Sequence, residues 1–335
     1  MSLTAPRVLM VGAGAVGQVY AWALQNAGVK VDFYVKPRHA ASVRAGMPLW
    51  RRRFGRKPEP STLYADGVYE SDLPAPHWDE VWLAVSSTAV TDTLLDQLLA
   101  QVGDAVFVVF PTHPDGLAHL RARLGERMVG GLISFIAWQA PLPGETDLPA
   151  VGTRSDGIAF YVPPAPAPFW GPAAARDRVI QRLRQGGLPC QAVPDLERTI
   201  AWGGALLQLH IAALDAADWN FPALRRSDLL SVASDAWKEL VPIAAAGPGG
   251  SPPPWTGWIR PPIQRLVAWL APRIMPFDLA TYLGYHFTKV GDQTRANLEL
   301  WIARGRAAGL PVGAIERLRA RMREVARFDG SPLPP

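Results

Sequence analysis

The chain carries one cysteine, Cys190, in 335 residues. A single thiol excludes an internal disulfide and any multi-cysteine metal cage, and it fits a reducing cytoplasm. The six histidines are scattered without the spacing of metal ligands. Charge is also sparse, at 19% of residues, with a net value of only +5. The one dense basic run is Arg51-Arg52-Arg53-Phe54-Gly55-Arg56-Lys57. No nucleic-acid recognition motif accompanies it, so it reads as a solvated loop or as extra attraction for an anionic cofactor. Long apolar runs are missing too. The most apolar segments, Gly130 to Pro143 and Ala201 to Ala217, are too short or too polar to span a membrane. The N-terminus runs straight into a core strand and does not read as a signal peptide. Neither a nucleic acid nor a membrane is expected as a partner, and the expected location is the cytoplasm.

What is present in quantity is apolar residue, at 49% of a chain long enough for two domains with sizeable cores. The most informative stretch lies at the start. Arg7-Val8-Leu9-Met10-Val11 reads as a short apolar strand that meets Gly12-Ala13-Gly14-Ala15-Val16-Gly17, followed by a helical stretch from Gln18 to Asn26 closed by Gly28. In a strand–turn–helix, GxGxxG gives each glycine a task. Gly12 allows the tight turn, Gly14 lets the backbone approach a pyrophosphate, and Gly17 lets helix and strand pack closely. The free N–H groups and positive dipole end of the new helix, at Ala15 and Val16, then face the phosphates. The alternative is a tight turn in an α/β fold with no ligand.

The end of the second strand selects the dinucleotide. Val29 to Val35 alternates as a strand, and an NAD-preferring site places an acid about 20 residues beyond the fingerprint, on the ribose hydroxyls. That place holds Lys36-Pro37-Arg38. Asp32 is the nearest acid, but mid-strand its side chain would miss the ribose. Two cations and no acid favour a 2′-phosphate, hence NADP(H); the other reading makes Lys36 and Arg38 ordinary solvated charges.

Beyond this point a helix is expected over Ala40 to Gly46, a weakly patterned section over Pro48 to Pro76, and a buried strand over Trp78 to Val85. A crossover helix follows from Ser87 to Gln101, then a strand over Ala105 to Phe110, and Arg127 to Trp138 contains another. This alternation predicts a doubly wound, mostly parallel sheet of the Rossmann type. Ligands bind such sheets beyond the carboxyl ends of the strands, which places Ser86-Ser87-Thr88 and the turn Pro111 to Gly116 at the cofactor cleft. From Asp195 helical periodicity takes over, in Leu196 to Ala217, Ser227 to Ala246, Pro262 to Leu270, Phe277 to Ala308 and Val312 to Phe328. The expected domains are therefore a cofactor-binding domain over 1–194 and an all-helical substrate and dimerisation domain over 195–335. The proline-rich stretch Val162 to Pro172 is placed near the end of the first, and Gly247 to Pro254 as a loop inside the second. Trp255 and Trp258 after that loop read as surface packing or as a lid over a pocket. Among thirteen tryptophans, Trp138, Trp202, Trp219 and Trp301 are core candidates that could also furnish an aromatic pocket.

Late in the chain come His286-Phe287-Thr288-Lys289-Val290-Gly291-Asp292, then Arg295 and Leu298-Glu299, then Ala307-Ala308-Gly309-Leu310-Pro311. With the N-terminal fingerprint and the helical second half, this pattern resembles the ketopantoate reductase (2-dehydropantoate 2-reductase) family. The resemblance covers nearly the whole chain. Family members carry a long helix reading roughly Ser-Ser-Met-x-x-Asp, then Arg, then Thr-Glu, followed by a Gly-[Ile/Val]-x-x-Pro turn. Read without the family, Thr288, Asp292, Arg295 and Glu299 recur at spacings of four, three and four and share one helix face. The resemblance implies that Glu299 supports substrate and that Thr288 contacts its carboxylate end, with Asp292 beside them. The Asp-to-Glu interval is one residue shorter here than in the family.

Other positions depart further. The resemblance implies hydride delivery from the nicotinamide to a 2-keto acid, with a lysine giving the alkoxide its proton. That lysine lies two residues after a Trp on the first helix of the second domain, with an Asn one turn later. Here Trp202-Gly203-Gly204-Ala205-Leu206-Leu207-Gln208 places Gly204 and Gln208 at those positions, and no lysine falls between Lys57 and Lys238. The cofactor-side lysine after the fourth strand is Ser86, and Thr112-His113-Pro114-Asp115-Gly116 replaces a Gln-Asn-Gly. Three accounts follow. A keto-acid reductase with a relocated donor needs a polar group at the developing alkoxide; His113 is the first candidate, and Lys289 and His210 are weaker ones. An NADP-dependent enzyme acting on an imine, enal or hydroxy compound is the second. A cofactor-binding protein without chemistry is the third. The apolar faces of the helical domain could meet each other or a second subunit.

Overall fold

In this computed structural model residues 5–73, 77–111, 114–289 and 291–323 are described, apart from the side chains at 88, 289 and 291–293. The chain divides into two compact units. The first runs to Pro141 and resumes over Glu145–Leu196; the second comprises Leu142–Gly144 and the chain from Glu197.

The first unit begins with β1 (Arg7–Val11), α1 (Ala15–Asn26), β2 (Lys30–Tyr34) and α2 (Pro37–Arg44). Val8, Leu9 and Met10 are wholly buried, each contributing about 1.5–3 kcal/mol through removal from water. Helix α1 ends because Gly28 adopts a left-handed conformation (φ 78°), and the Val29 amide then reaches back to the Leu24 carbonyl at 3.0 Å. The section without clear pattern is β3 (Met47–Arg52), β4 (Glu59–Leu63) and β5 (Gly67–Tyr69). After them come β6 (Glu80–Leu83), α3 (Asp92–Gln101), β7 (Val106–Val109), α4 (Pro114–Leu124), β8 (Met128–Gly131), β9 (Ile136–Ala140), β10 (Gly157–Tyr161), β11 (Ala167–Trp170), α5 (Ala173–Gln185) and β12 (Cys190–Ala192).

Eight strands form the main sheet in the order β12-β11-β8-β7-β6-β1-β2-β5. All neighbouring pairs are parallel except β8 with β11. The strand order reverses between β1 and β6, which is where a doubly wound sheet opens its ligand crevice. A second sheet, β4-β3-β10-β9, was not expected. It takes β3 and β4 from the poorly patterned section and β9 from the Arg127 to Trp138 stretch, which therefore holds two strands in two sheets. Such strands are hard to read because half-buried residues and prolines blur the alternation that marks a strand.

The proline-rich stretch Val162 to Pro172 contains β11, an interior strand of the main sheet paired to β8 on one side and to β12 on the other. Two expectations change. The basic run is only in part a solvated loop. Arg52 is buried at the end of β3 against Glu145 and Asp147, with Nη1 2.7 Å from the Asp147 carboxylate. Its guanidinium holds the Asp147 carboxyl below the usual carboxylate range. Arg51 lies over the Trp22 ring at 5.2 Å. The crossover expected from Ser87 opens as a 3-10 turn over Ser87–Ala89, with α3 starting only after Thr91, whose Oγ1 accepts the Leu94 amide at 3.2 Å.

The second unit is helical: α6 (Leu196–Ala216), α7 (Phe221–Arg226), α8 (Leu229–Ala246), α9 (Pro261–Ile274), α10 (Leu279–Lys289), α11 (Gly291–Ala307) and α12 (Gly313–Arg321). Its core includes Trp202, Leu209, Ala213, Leu240 and Ile315. The loop before α9 is anchored by the Trp202 indole, whose N–H donates to the Gly249 carbonyl at 2.8 Å, and by Trp255, stacked on Trp237 at 5.8 Å. Among the described residues no helix is long and apolar enough to cross a membrane, and no cluster of metal-ligating side chains occurs.

Candidate functional site

The fingerprint forms the turn its spacing predicts. Gly12 sits at φ 96° and its amide donates to the Tyr34 carbonyl at 2.9 Å. A Cβ there would lie 2.6 Å from Val85 Cγ1, and one on Gly17 would lie 2.5 Å from the Gly12 carbonyl oxygen. Both positions are thus reserved for glycine by the protein itself. Gly14 is different: a Cβ would meet nothing within 4 Å. It is the N-cap of α1 without any side-chain cap, and no acid follows in the first turn. The amides of Ala15, Val16 and Gly17 belong to the first turn, whose N–H groups lack intrahelical acceptors and favour an anion.

Gly12 and Gly14 open onto a cavity of about 720 Å³ at the carboxyl ends of β1, β2 and β6, wholly within the first unit. Lys36, Arg38, Ser86 and the α2 residues His39 and Ser42 also line it. Lys36 is the N-cap of α2, with Pro37 in the first turn, and both Lys36 and Arg38 are exposed. Arg38 Nε lies 3.0 Å from His39 Nε2, and the Ser42 hydroxyl donates to the His39 carbonyl at 2.8 Å. Asp32 does not reach this cavity. It is fully buried, held by the Arg7 guanidinium at 2.5 and 2.9 Å and by the Trp78 indole N–H at 2.8 Å.

The opposite wall was not foreseen. Met47, Pro48, Gln139, Arg154, Asp156 and Gly157 come from the second sheet and the turn before β10. Arg154 donates to the Gly46 carbonyl at 3.1 Å and pairs with Asp156 at 3.2 Å. Gln139, Arg154, Asp156 and Gly157 lie more than a hundred positions beyond the fingerprint, and Met47 and Pro48 fall in the poorly patterned section, so only the sheet brings them in. His39 and Ser42 were readable, since they follow Lys36 and Arg38 on the first turns of one helix.

The turns at the strand ends divide between two cavities. Ser86 and Ala89 face the larger one, whereas Ser87, Pro111 and Gly116 line a separate space of about 230 Å³ with His119. Thr112 and His113 lie outside the described residues.

In the second unit Thr288 lies at the end of α10, and Arg295 and Glu299 lie on α11; residue 290 between these helices is outside the described residues. Glu299 is exposed and pairs with Arg319 of α12 at 2.5 Å. The side chains of Lys289 and Asp292 lie outside the described residues. Gln208 accepts from the Trp301 indole N–H at 3.2 Å. At Gly204 a Cβ would meet only Gln208 Nε2, at 4.0 Å, so a larger side chain has room. His210 Nδ1 lies 2.8 Å from the Leu206 carbonyl, and burial pushes the imidazole below its ordinary value. Burial raises the Cys190 thiol to about 12, which keeps it protonated and unreactive.

Residues 8–111 match the model of the family described as ketopantoate reductase PanE/ApbA. Among curated proteins none matches the sequence. The fold is similar to that of a PanE/ApbA family ketopantoate reductase from Ralstonia eutropha JMP134, at 20% identity and a TM-score of 0.64, over 95% of this chain and 97% of that one. It is similar to 2-dehydropantoate 2-reductase from Methylococcus capsulatus (14%, 0.62, 94% and 95%). A D-mandelate dehydrogenase solved with NADH and anilino(oxo)acetate gives 12% identity, a TM-score of 0.64, and coverage of 94% and 96%.

Proposed function

We propose that the chain is an NADPH-dependent oxidoreductase that reduces a 2-keto acid or a related carbonyl by hydride transfer. The observation that carries this reading is the charge at the end of β2. Lys36 and Arg38 line the fingerprint cavity, while Asp32, the nearest acid, is consumed by Arg7 and Trp78. A ribose 2′-phosphate would accept charge-assisted hydrogen bonds from those cations, and Gly14 with the first amides of α1 would hold the pyrophosphate. The donor set therefore fits the dinucleotide, which supplies the hydride when bound. Ser86 lies at the same cavity as a further polar contact.

The carbonyl chemistry rests on the family of residues 8–111 and on the fold shared with ketopantoate reductases and with a mandelate dehydrogenase. His113 is the proposed proton donor, with Lys289 as the second choice; Gln208, Thr288, Asp292 and Glu299 are the proposed substrate contacts. A specific observation favours a second reading. Gly204 stands in open space where the family has its lysine, which suits a different imine, enal or hydroxy substrate, or binding without turnover. A homodimer is also proposed, because Ile263, Leu266, Val267 and Leu270 leave an apolar stripe exposed along α9.

The test is NADPH oxidation by the purified chain at high concentration, with and without ketopantoate, followed by the absorbance of the reduced nicotinamide. Substrate-dependent oxidation supports the keto-acid reading. A flat trace with NADPH bound rejects it in favour of the second.

A further inference from the structure

Strands β3 and β4 form a hairpin of the second sheet, paired from Met47 with Leu63 to Arg51 with Glu59. Its tip holds the rest of the basic run, of which the proposed hydride chemistry makes no use. Met47 and Pro48, at the start of β3, reach the cofactor cavity. At about 3.3 Å per residue the tip lies roughly 20 Å further on, too far to touch a dinucleotide bound there. The tip is a tight turn. The Arg56 amide donates to the Arg53 carbonyl at 3.2 Å, and Gly55 takes the left-handed conformation (φ 67°) that such a turn asks of its third residue. Phe54 is therefore a central residue of the turn with no core to enter, and it is 64% exposed. Gly55, Arg56 and Lys57 beside it are exposed as well.

Charge at the tip is almost all of one sign. Apart from Arg52, residues 51–59 carry four cations, Arg51, Arg53, Arg56 and Lys57, against one acid, Glu59. Glu59 pairs with Arg53 at 3.3 Å, whereas Arg56 and Lys57 meet no carboxylate among the described residues. Arg52 faces the other way, because successive strand side chains alternate, and Glu145 and Asp147 lie on that side with it. Burial and then the neighbouring charge of Arg53 lower the Arg51 guanidinium from its ordinary value. A single exposed apolar residue is ordinary. Here the ring stands at the apex of a turn and unpaired cations flank it.

We propose that this hairpin tip docks the chain on an anionic lipid bilayer, the Phe54 ring entering the headgroup layer while Arg56 and Lys57 meet lipid phosphates. A bilayer carries its charge at the surface and its apolar matter behind it, which matches a ring flanked by cations. A nucleic-acid duplex also carries its charge outside, but its bases would have to be unstacked to admit the ring. A protein partner needs roughly 800 Å² of matching surface on each side, more than a turn with two central residues offers. The absence of a spanning helix among the described residues concerns crossing a bilayer, not docking at its surface. The inference stands apart from the reductase reading.

Co-sedimentation of the full chain with vesicles tests the proposal. Vesicles of phosphatidylcholine mixed with phosphatidylglycerol bind it at least about tenfold more tightly than phosphatidylcholine alone. Salt at about 1 M, where the Debye length is about 3 Å, removes the difference. Arg56→Gln combined with Lys57→Gln weakens binding by at least about tenfold, since each cation near an anionic bilayer counts for about a factor of five. Phe54→Ser weakens it several-fold. Entry of the ring has its own readout. Cys190 is buried and protonated, so Phe54→Cys supplies the one reactive thiol. An environment-sensitive fluorophore placed there shifts to the blue on the anionic vesicles only. Circular dichroism establishes that each variant is folded. No preference for anionic vesicles, or a fluorophore that stays in water, overturns the proposal. Undiminished binding by the double variant overturns it too and passes the role to the apolar stripe of α9. A duplex oligonucleotide that binds where vesicles do not, and is lost in the same variants, overturns it in favour of a nucleic acid.

Discussion

The Arg7 guanidinium grips the Asp32 carboxylate through two hydrogen bonds, Nε at 2.5 Å and Nη2 at 2.9 Å. This fork joins neighbouring strands β1 and β2, and the Trp78 indole completes it at 2.8 Å. The pair raises the Arg7 guanidinium above its ordinary value, chiefly through that hydrogen bond. Asp32 is thereby a fastener of the sheet. Asp32→Asn leaves Arg7 without its carboxylate, although Arg7 retains some contact with water. The expected loss is about 1–3 kcal/mol in urea unfolding, with the preference between NADPH and NADH unchanged. A shift of preference toward NADPH would instead give Asp32 a role at the ribose.

Cofactor choice is expected to follow the end of β2. The double variant Lys36→Glu, Arg38→Glu places like charge against a 2′-phosphate and should weaken NADPH binding by at least about tenfold, the equivalent of losing a charge-assisted hydrogen bond of about 1.5–3 kcal/mol. NADH binding should be nearly unaffected. Fluorescence titration of both cofactors checks it, and undiminished NADPH affinity would sink the NADP assignment.

Proton supply is tested at two positions. His113→Ala should lower turnover of the true substrate by about tenfold or more, within the range of acid–base catalysis; an unchanged rate removes the histidine. Gly204→Lys enters open space on α6 and replaces glycine with a good helix former, so stability should rise by about 0.5–1 kcal/mol. If the site lacks an efficient donor, this variant also raises turnover of ketopantoate. Thermal melting and steady-state rates separate the two effects.

His210 makes stability pH-dependent with a definite sign. Burial holds its folded value below the ordinary 6.5, so the unfolded chain binds the proton more readily. The contribution is fully present above the unfolded value and is lost as pH falls through the folded one. His210→Gln should therefore lose less stability than the parent between pH 7.5 and 5.5. Equal losses in urea unfolding at the two pH values would show that His210 carries no such linkage.

The N-terminal half of the site was legible because its physics is local. Gly12 is required by the left-handed conformation of the turn and Gly17 by its contact with the Gly12 carbonyl, both within one strand–turn–helix, and Lys36 and Arg38 fall a fixed distance beyond it. The helical second half was legible as well, because sustained 3.6-residue periodicity survives without tertiary context. Elsewhere pattern misled. The run Arg51 to Lys57 looked solvated because a charged sequence carries no sign of a buried partner, and Glu145 and Asp147 lie over ninety residues away.

Sequence alone thus determined the glycine turn, the cations beyond it and the division into sheet and helices, since each depends on neighbours along the chain. Only the tertiary structure decided that Asp32 is spent on Arg7 and that a second sheet brings Arg154 and Gln139 to the cavity. Those outcomes depend on long-range pairing, where burial removes water and leaves each polar group to find a partner.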